Sequence, residues 1–272
     1  MLQCLAAAGA DLNAAKADAW TPALIAAKKD EVEALRCLKD GGADLDLPKA
    51  TDGSTPAFVA ASKGNVASLK FLEEAGADLN KANGDGATPT YVAAQNGHLA
   101  AVSCLCFGLA DPNLAMSNGW TPAVVAAKNN YPKILLELNE RGAKLDLPTS
   151  SGATAAYVAA QHGSLEALRC LAELGADLNL ATQTGATAAF VAAQAGNLPA
   201  LRCLGHAGAN LNLAKPDGST PAHAAAAKGF IEVIRYLSDQ GVNMDKRNSA
   251  GASPLSVAEA RGHDGLVKSM KY

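Results

Sequence analysis

The chain has 272 residues, of which 49% are apolar, 18% charged and 4% aromatic, and it carries a formal net charge of −3 with a pI near 6.0. This composition excludes an intrinsically disordered chain, and the charge provides no basic footprint for a nucleic acid. No uninterrupted apolar run approaches the roughly 20 residues that a membrane-spanning helix needs, so we expect no direct membrane insertion.

The predicted elements follow a fixed rhythm along the chain. A helical segment, Met1 to Asn13, comes first, and a Thr-Pro or Thr-Ala step then recurs at a spacing of 34 residues once and 33 thereafter. The steps begin at Thr21, Thr55, Thr88, Thr121, Thr154, Thr187 and Thr220, and Ser253-Pro254 repeats the pattern a last time. A period in this range is typical of stacked repeats, each of which buries its apolar face only against its neighbours.

Each repeat is predicted to contain a turn, a helix, a second turn, a second helix and a loop. Within residues 151–179, Thr154 is a good N-cap for a first helix from Ala155 to about Gln161, because its hydroxyl can accept a first-turn N–H. Gly163 is expected to end that helix. Leucines at helical spacing then predict a second helix from about Leu165 to Leu174.

These residues resemble the ankyrin repeat. The family's opening, turn and closing motifs match Thr88-Pro89, Gly97-His98 and Gly76-Ala77-Asp78-Leu79-Asn80, and Ala93-Ala94 falls between the first two. The resemblance covers nearly all of the chain and implies an all-α ankyrin-repeat solenoid of stacked helix-turn-helix units with projecting β-turn loops. It departs at the histidine of the opening motif, which only His223 retains. Apolar packing is expected to replace its hydrogen bonds where Leu24, Phe58, Tyr91, Val124, Tyr157, Phe190 and Ser256 stand at that position.

The resemblance also divides the chain into three parts. Residues 1–16 match a partial repeat with only its second helix, residues 17–248 match seven ankyrin repeats, and residues 249–272 match a C-terminal capping repeat. Because nothing precedes the first helix to cover its face, we expect that the chain is a fragment of a longer protein or that residues 1–13 dock on a partner.

The cysteines are predicted to be buried or half-buried free thiols. Cys37, Cys104, Cys170 and Cys203 share one position of the second helix, and Cys4 fits it too. Corresponding positions of packed helices lie about 8–10 Å apart, beyond the roughly 7 Å Cα limit of a disulfide. Free thiols indicate a reducing, intracellular compartment, and we expect the cytoplasm. No zinc-ligand spacing, phosphate loop or nucleophile with a partner base is present, so we expect no metal, no cofactor and no enzymatic activity.

In ankyrin proteins the partner lies in the groove formed by the turn tips and first helices, and the resemblance transfers that surface to this chain. Trp20 and Trp120 share one tip position, and tryptophan is enriched at interface hot spots. The alternative is that each packs on a neighbouring turn. The predicted partner-binding residues are Trp20, Lys28, Lys29, Lys63, Gln95, Asn96, Trp120, Lys128, Asn129, Tyr131, Gln161 and His162.

Three repeats depart from the common pattern and are further candidates for function. Asp30 and Asn130 replace a glycine, the segment 108–113 displaces a glycine and a leucine, and Leu136 occupies a charged position. The sequence thus predicts a non-catalytic scaffold that binds a protein partner through the concave groove. The alternative is a constitutive accessory subunit of a large assembly, docked through the uncapped N-terminal end and the apolar features of the fourth repeat.

Overall fold

The computed structural model describes residues 9–271, and the cysteine at position 4 and most of the predicted N-terminal helix lie outside them. The described residues form sixteen helices and no strand. In chain order these are α1 (Pro22–Lys29), α2 (Val32–Asp40), α3 (Pro56–Lys63), α4 (Val66–Glu74), α5 (Pro89–Gln95), α6 (Leu99–Phe107), α7 (Pro122–Lys128), α8 (Pro132–Glu140), α9 (Ala155–His162), α10 (Leu165–Glu173), α11 (Ala188–Gln194), α12 (Leu198–His206), α13 (Pro221–Lys228), α14 (Ile231–Asp239), α15 (Pro254–Ala260) and α16 (Asp264–Lys271). The all-α repeat class predicted from the sequence is confirmed.

The chain divides into two compact units. Unit 1 runs through Ala126 and includes Leu136–Lys144, whereas unit 2 contains Ala127–Leu135 and the chain from Leu145 onward. Odd-numbered helices are the first helices of their repeats, and even-numbered helices are the second. None of the helices within residues 9–271 is both long and apolar enough to cross a membrane.

A threonine side chain starts the first helix of most repeats. The Oγ1 atom of Thr21 accepts the backbone N–H of Leu24 at 3.3 Å, and Thr55 accepts that of Phe58 at 3.1 Å. The same bond recurs at Thr88, Thr121, Thr154 and Thr187. Each such cap satisfies a donor that the helix itself leaves unpaired and contributes about 1 kcal/mol.

The residue before the second helix ties its repeat to the preceding one. Asn65 Nδ2 donates to the carbonyl of Ala27 at 2.8 Å in unit 1, and Ser164 Oγ donates to the carbonyl of Lys128 at 2.8 Å in unit 2. His98 and His263 place a ring nitrogen near a first-helix carbonyl in the same way. Carbonyls at a helix C-terminus lack an intrahelical partner, so these side chains complete the first helix of the preceding repeat.

Leucines of the second helices form the core of each unit against alanines of the first helices. The fully buried leucines include Leu35, Leu38, Leu69, Leu72 and Leu105 in unit 1 and Leu168, Leu171, Leu201, Leu204 and Leu237 in unit 2. Each contributes about 1.5–3 kcal/mol when it leaves water. Alanine predominates on the buried side of the first helices, where its small side chain allows close helix packing.

A ladder of Asn and Asp side chains connects successive loops. Asn80 Oδ1 accepts the backbone N–H of Asp111 at 2.8 Å, and Asn113 Oδ1 accepts that of Lys144 at 2.7 Å. The equivalent bond, in which a side-chain oxygen accepts a backbone N–H of the following repeat, is made by Asn13, Asp46, Asp146, Asn179 and Asn212. The ladder therefore continues through the irregular segment 108–113. There the left-handed backbone position passes to Leu109, with φ 63°, because the glycine lies one residue earlier.

Asp30 and Asn130 have a structural role in the irregular turns. Both adopt the left-handed conformation, with φ of 59° and 58°, at a position where Gly64 and other repeats have glycine. Asp30 Oδ1 accepts the N–H and the hydroxyl of Ser68 at 2.8 and 2.7 Å, and Asn130 Oδ1 accepts the N–H of Ala167 at 2.9 Å. Each side chain thus caps the second helix of the next repeat, which a glycine cannot do.

His223 retains the hydrogen bonds expected of the opening motif. Its Nδ1 accepts the N–H of Thr220 at 3.1 Å, so Nε2 carries the proton and donates to the carbonyl of Ala252 at 3.0 Å. Burial lowers the pKa of His223 and keeps the ring neutral. At the same position Leu24 and Val124 are fully buried, so packing replaces these bonds there.

Candidate partner-binding surface

The surface of the first helices is exposed only at its C-terminal end. In α1 the side chains of Ala26 and Ala27 are buried, whereas Lys28 and Lys29 are exposed. In α5 the same change occurs between Ala94 and Gln95. These two first helices, of eight and seven residues, therefore present one or two variable polar side chains at the same end.

Trp20 lies in a turn tip of unit 1 beside two lysines. The ammonium groups of Lys28 and Lys49 lie 4.6 and 5.0 Å from the centre of its ring. Such cation–π contacts contribute about 0.5–1 kcal/mol each when exposed, and they hold the half-buried indole and both cations at one place. The cavity beside Trp20 has a volume of about 410 Å³ and is lined by Lys16, Asp18, Trp20, Ile25, Lys28, Lys29 and Lys63.

The structure brings together four of the predicted binding residues: Trp20, Lys28, Lys29 and Lys63. Sequence reasoning missed three other residues beside Trp20, which are Lys16, Ile25 and Lys49.

The single 34-residue spacing in the sequence is a signal that could have found Lys49. The Lys49 N–H donates to Ser54 across five residues, while the equivalent Lys16 N–H donates to Trp20 across four. The single 34-residue spacing therefore reflects one extra residue in the second turn tip, and Lys49 corresponds to Lys16.

The remaining predicted residues of unit 1 lie in later repeats. Gln95 and Asn96 are exposed at the end of α5, and Asn96 Nδ2 donates to the carbonyl of Ser62 at 2.9 Å. Trp120 is half-buried in its own tip, where its backbone N–H donates to Asn118 Oδ1 at 3.0 Å. These side chains do not line the cavity beside Trp20, so they extend the candidate surface beyond it.

The predicted residues of unit 2 lie at two helix ends. Lys128, the last residue of α7, is exposed, and Asn129 after it is half-buried. Gln161 and His162 are exposed at the end of α9. Tyr131 is half-buried at the position that precedes the second helix, and its carbonyl accepts the N–H of Ile134 at 3.1 Å. Tyr131 is therefore placed between two helices of its repeat, unlike the tip and helix-end residues.

The thiols of the described residues have the character of core atoms. All five cysteines in this part of the chain are free, and each is buried or half-buried. Burial raises the pKa of Cys104 and Cys203, and it raises that of Cys106 to about 11. Because the thiolate is the nucleophilic form, a raised pKa disfavours reaction of these three thiols at neutral pH. No group of three potential metal ligands occurs within residues 9–271.

Three large apolar side chains are exposed on the second helices of unit 1 or in the loop that follows one of them. Phe107 is 64% exposed under the guanidinium of Arg141, which lies 3.6 Å from the ring centre, and Leu109 is 88% exposed. Leu136 is 45% exposed on α8. Unit 2 has a shallow, mainly apolar groove of about 510 Å³ between α10 and α12, with Arg169, Arg202 and His206 among the residues that line it.

Comparison with known proteins identifies the repeat. The family model described as ankyrin repeats (3 copies) matches residues 1–83, 75–149, 135–215 and 192–271. Among solved structures, the crystal structure of the ankyrin repeat domain of Bcl-3, described as a unique member of the IκB protein family, superimposes with a TM-score of 0.73 at 26% identity. It covers 81% of this chain and 100% of the Bcl-3 domain. The comparison with curated proteins found no significant match.

Because 547 chains of solved structure match the fold, the match identifies an architecture and not a partner. Ankyrin repeats are in general non-enzymatic protein-interaction modules. The family model spans nearly the whole sequence. The Thr-capped first helices and the leucine-rich second helices are consistent with the repeat that it describes. This chain belongs to the ankyrin-repeat family.

Proposed function

We propose that the chain is a non-catalytic scaffold that binds a protein partner through its turn tips and first helices, with Trp20 and Trp120 of unit 1 as the main anchors. One observation carries the proposal: Trp20 lies half-buried beside a cavity with Lys28 and Lys49 stacked against its ring. A large, rigid indole in such a position offers apolar area at little entropic cost, which is the character of interface hot spots.

The rest of the predicted surface supports recognition of a protein. Lys63, Gln95 and Asn96 in unit 1 end their first helices as exposed polar side chains with different chemistry in successive repeats. In unit 2, Gln161 and His162 have the same position at the end of α9. Variation at exposed positions on a constant scaffold gives specificity without change of fold. We further propose that residues 17–248 are seven full repeats and that residues 249–272 cap the stack.

The test is the affinity for the partner, isolated by affinity capture and identified by mass spectrometry. We expect Trp20→Ala together with Trp120→Ala to raise Kd at least tenfold, which corresponds to a loss of about 1.4 kcal/mol. Phe107→Ala is the matched control, because it truncates an exposed aromatic side chain on the second-helix side of the same unit. Unchanged affinity of the double variant, with its circular dichroism spectrum intact, would refute the assignment of the surface.

A second candidate function is that of a constitutive accessory subunit in a large assembly. The observation that favours it is the apolar side of unit 1, where Phe107, Leu109 and Leu136 are exposed. The N-terminal end that was also expected to dock lies mostly outside the described residues. Stoichiometric copurification with one complex that is lost in Phe107→Ala but retained in the double tryptophan variant would support this function over the first.

A further inference from the structure

A positively charged cavity lies beside Trp20 in a chain whose net charge is negative. Its lining contains the four lysines Lys16, Lys28, Lys29 and Lys63 and one acidic residue, Asp18. The local formal charge is therefore +3, the four lysines less the one aspartate, against −3 for the whole chain. A concave surface of one charge sign concentrates ligands of the opposite sign.

The carboxylates near this cavity neutralise it only weakly. Among the residues that line the cavity, Lys29 pairs with Glu31 at an N–O distance of 3.9 Å, and both side chains are more than half exposed. Ion pairs of this kind are largely screened by solvent. The ammonium group of Lys28 lies over the Trp20 ring, which orders it without removing its charge. Lys49 also lies over this ring, but it is outside the cavity lining and pairs with Asp52 at 3.6 Å, so it is not counted in the charge of the cavity. The cavity thus retains positive potential for a ligand.

The placement of the lysines favours spread carboxylates over a compact phosphate. Lys28 and Lys29 stand in the last turn of α1, and Lys63 in the last turn of α3. A helix C-terminus carries negative partial charge, so these sites do not offer the converging backbone N–H groups that bind phosphate. Arginine, whose fork binds phosphate in bidentate fashion, is absent from the residues that line the cavity.

We propose that this cavity binds an extended acidic segment of the partner protein, with Asp and Glu side chains on the lysines and one apolar side chain against Trp20 and Ile25. The apolar contact follows from the lining, because Ile25 and the indole are its two large apolar groups. This inference rests on the proposed function and adds the chemical class of the partner segment to it.

The experiment uses the intact chain with Trp120→Phe, which leaves Trp20 as its only tryptophan. Its fluorescence is titrated with a synthetic peptide of alternating Glu and Asp around one central leucine. We expect saturable binding that weakens at least tenfold when salt is raised from low to well above physiological ionic strength, because exposed charge pairs are screened. The same peptide with Gln and Asn in place of the acids should bind at least tenfold more weakly at low salt.

Matched lysine variants locate the site. We expect Lys28→Gln and Lys63→Gln each to weaken peptide binding at least threefold. Lys228→Gln should leave it unchanged, because Lys228 is exposed at the same repeat position as Lys63 but lies at the end of α13 in unit 2. Far-UV circular dichroism checks that each variant is folded.

Three results would overturn the inference: equal binding of the acidic and amide peptides, equal effects of Lys63→Gln and Lys228→Gln, or binding of inositol hexakisphosphate or phosphatidylserine vesicles in preference to the acidic peptide. The peptide assay requires no natural partner, so its outcome is separate from that of the proposed function. If the partner requires both tryptophans but the acidic peptide does not bind, the proposed scaffold function is retained. Only the inference that the partner segment is acidic is then refuted.

Discussion

Replacement of Asp30 by glycine, the residue that most repeats have at this position, should destabilise unit 1. Simple repeat consensus predicts the opposite, because Asp30 has φ 59° and glycine adopts this conformation without strain. The gain from relief of that strain is about 1 kcal/mol. Against it stands the loss of two hydrogen bonds from Ser68 to Asp30 Oδ1, at 2.8 and 2.7 Å.

The size of the expected destabilisation depends on the burial of Ser68, the hydrogen-bond donor to Asp30. Hydrogen bonds to a charged group contribute about 1.5–3 kcal/mol, at the lower end here because Asp30 is exposed. Ser68 is 0% exposed, so its hydroxyl loses its acceptor within the core. We expect Asp30→Gly to lower the free energy of unfolding by about 2 kcal/mol net, because two bonds of about 1.5 kcal/mol each are lost and about 1 kcal/mol of strain is relieved. Asp30→Asn is the control, since Asn130 makes the equivalent bond to Ala167, and it should stay within about 0.5 kcal/mol of the native chain.

Urea denaturation followed by circular dichroism measures both variants, with the slope used to check that the unfolding transition is unchanged. Ser68→Ala in the Asp30→Gly background should recover part of the loss, because it removes the unpaired hydroxyl and introduces the alanine found at the same position in other repeats. An Asp30→Gly variant as stable as the native chain, or more so, would refute the role of Asp30 as a cap between repeats.

Two further predictions concern the irregular positions. Leu109 is 88% exposed with φ 63°, so Leu109→Gly should raise the free energy of unfolding by about 1 kcal/mol in the same urea assay; a destabilised variant would show that the side chain has a packing role. His223 is buried with a lowered pKa, so in the native chain its contribution to stability is present above the ordinary histidine pKa of about 6.5 and is lost as pH falls through the folded-state value. His223→Leu should therefore reduce the loss of thermal stability between neutral and mildly acidic pH, and an unchanged pH profile would contradict the neutral, buried assignment.

The local elements could be predicted from the sequence because their causes are local. Thr154 as an N-cap and helices from Ala155 and Leu165 follow from side chains that act within one turn, and α9 and α10 begin at those residues. The buried leucines followed from helical periodicity. The family's interaction role also followed, because it belongs to the fold as a whole.

The contacts between repeats could not be predicted in the same way. Asp30 and Asn130 read as defects in the sequence because their hydrogen-bond partners, Ser68 and Ala167, lie 38 and 37 residues away and become neighbours only after stacking. The stacking of Lys49 on Trp20 likewise depends on an extra residue in a turn tip. Such interactions depend on register and side-chain direction, which periodicity does not specify.

Binding of the partner by the turn tips and first helices of unit 1 is tested by the Kd of the captured partner for the native chain and for Trp20→Ala with Trp120→Ala. A rise of at least tenfold, with Phe107→Ala near the native value, is the predicted result. An unchanged Kd for the folded double tryptophan variant, or a loss confined to Phe107→Ala, would contradict it.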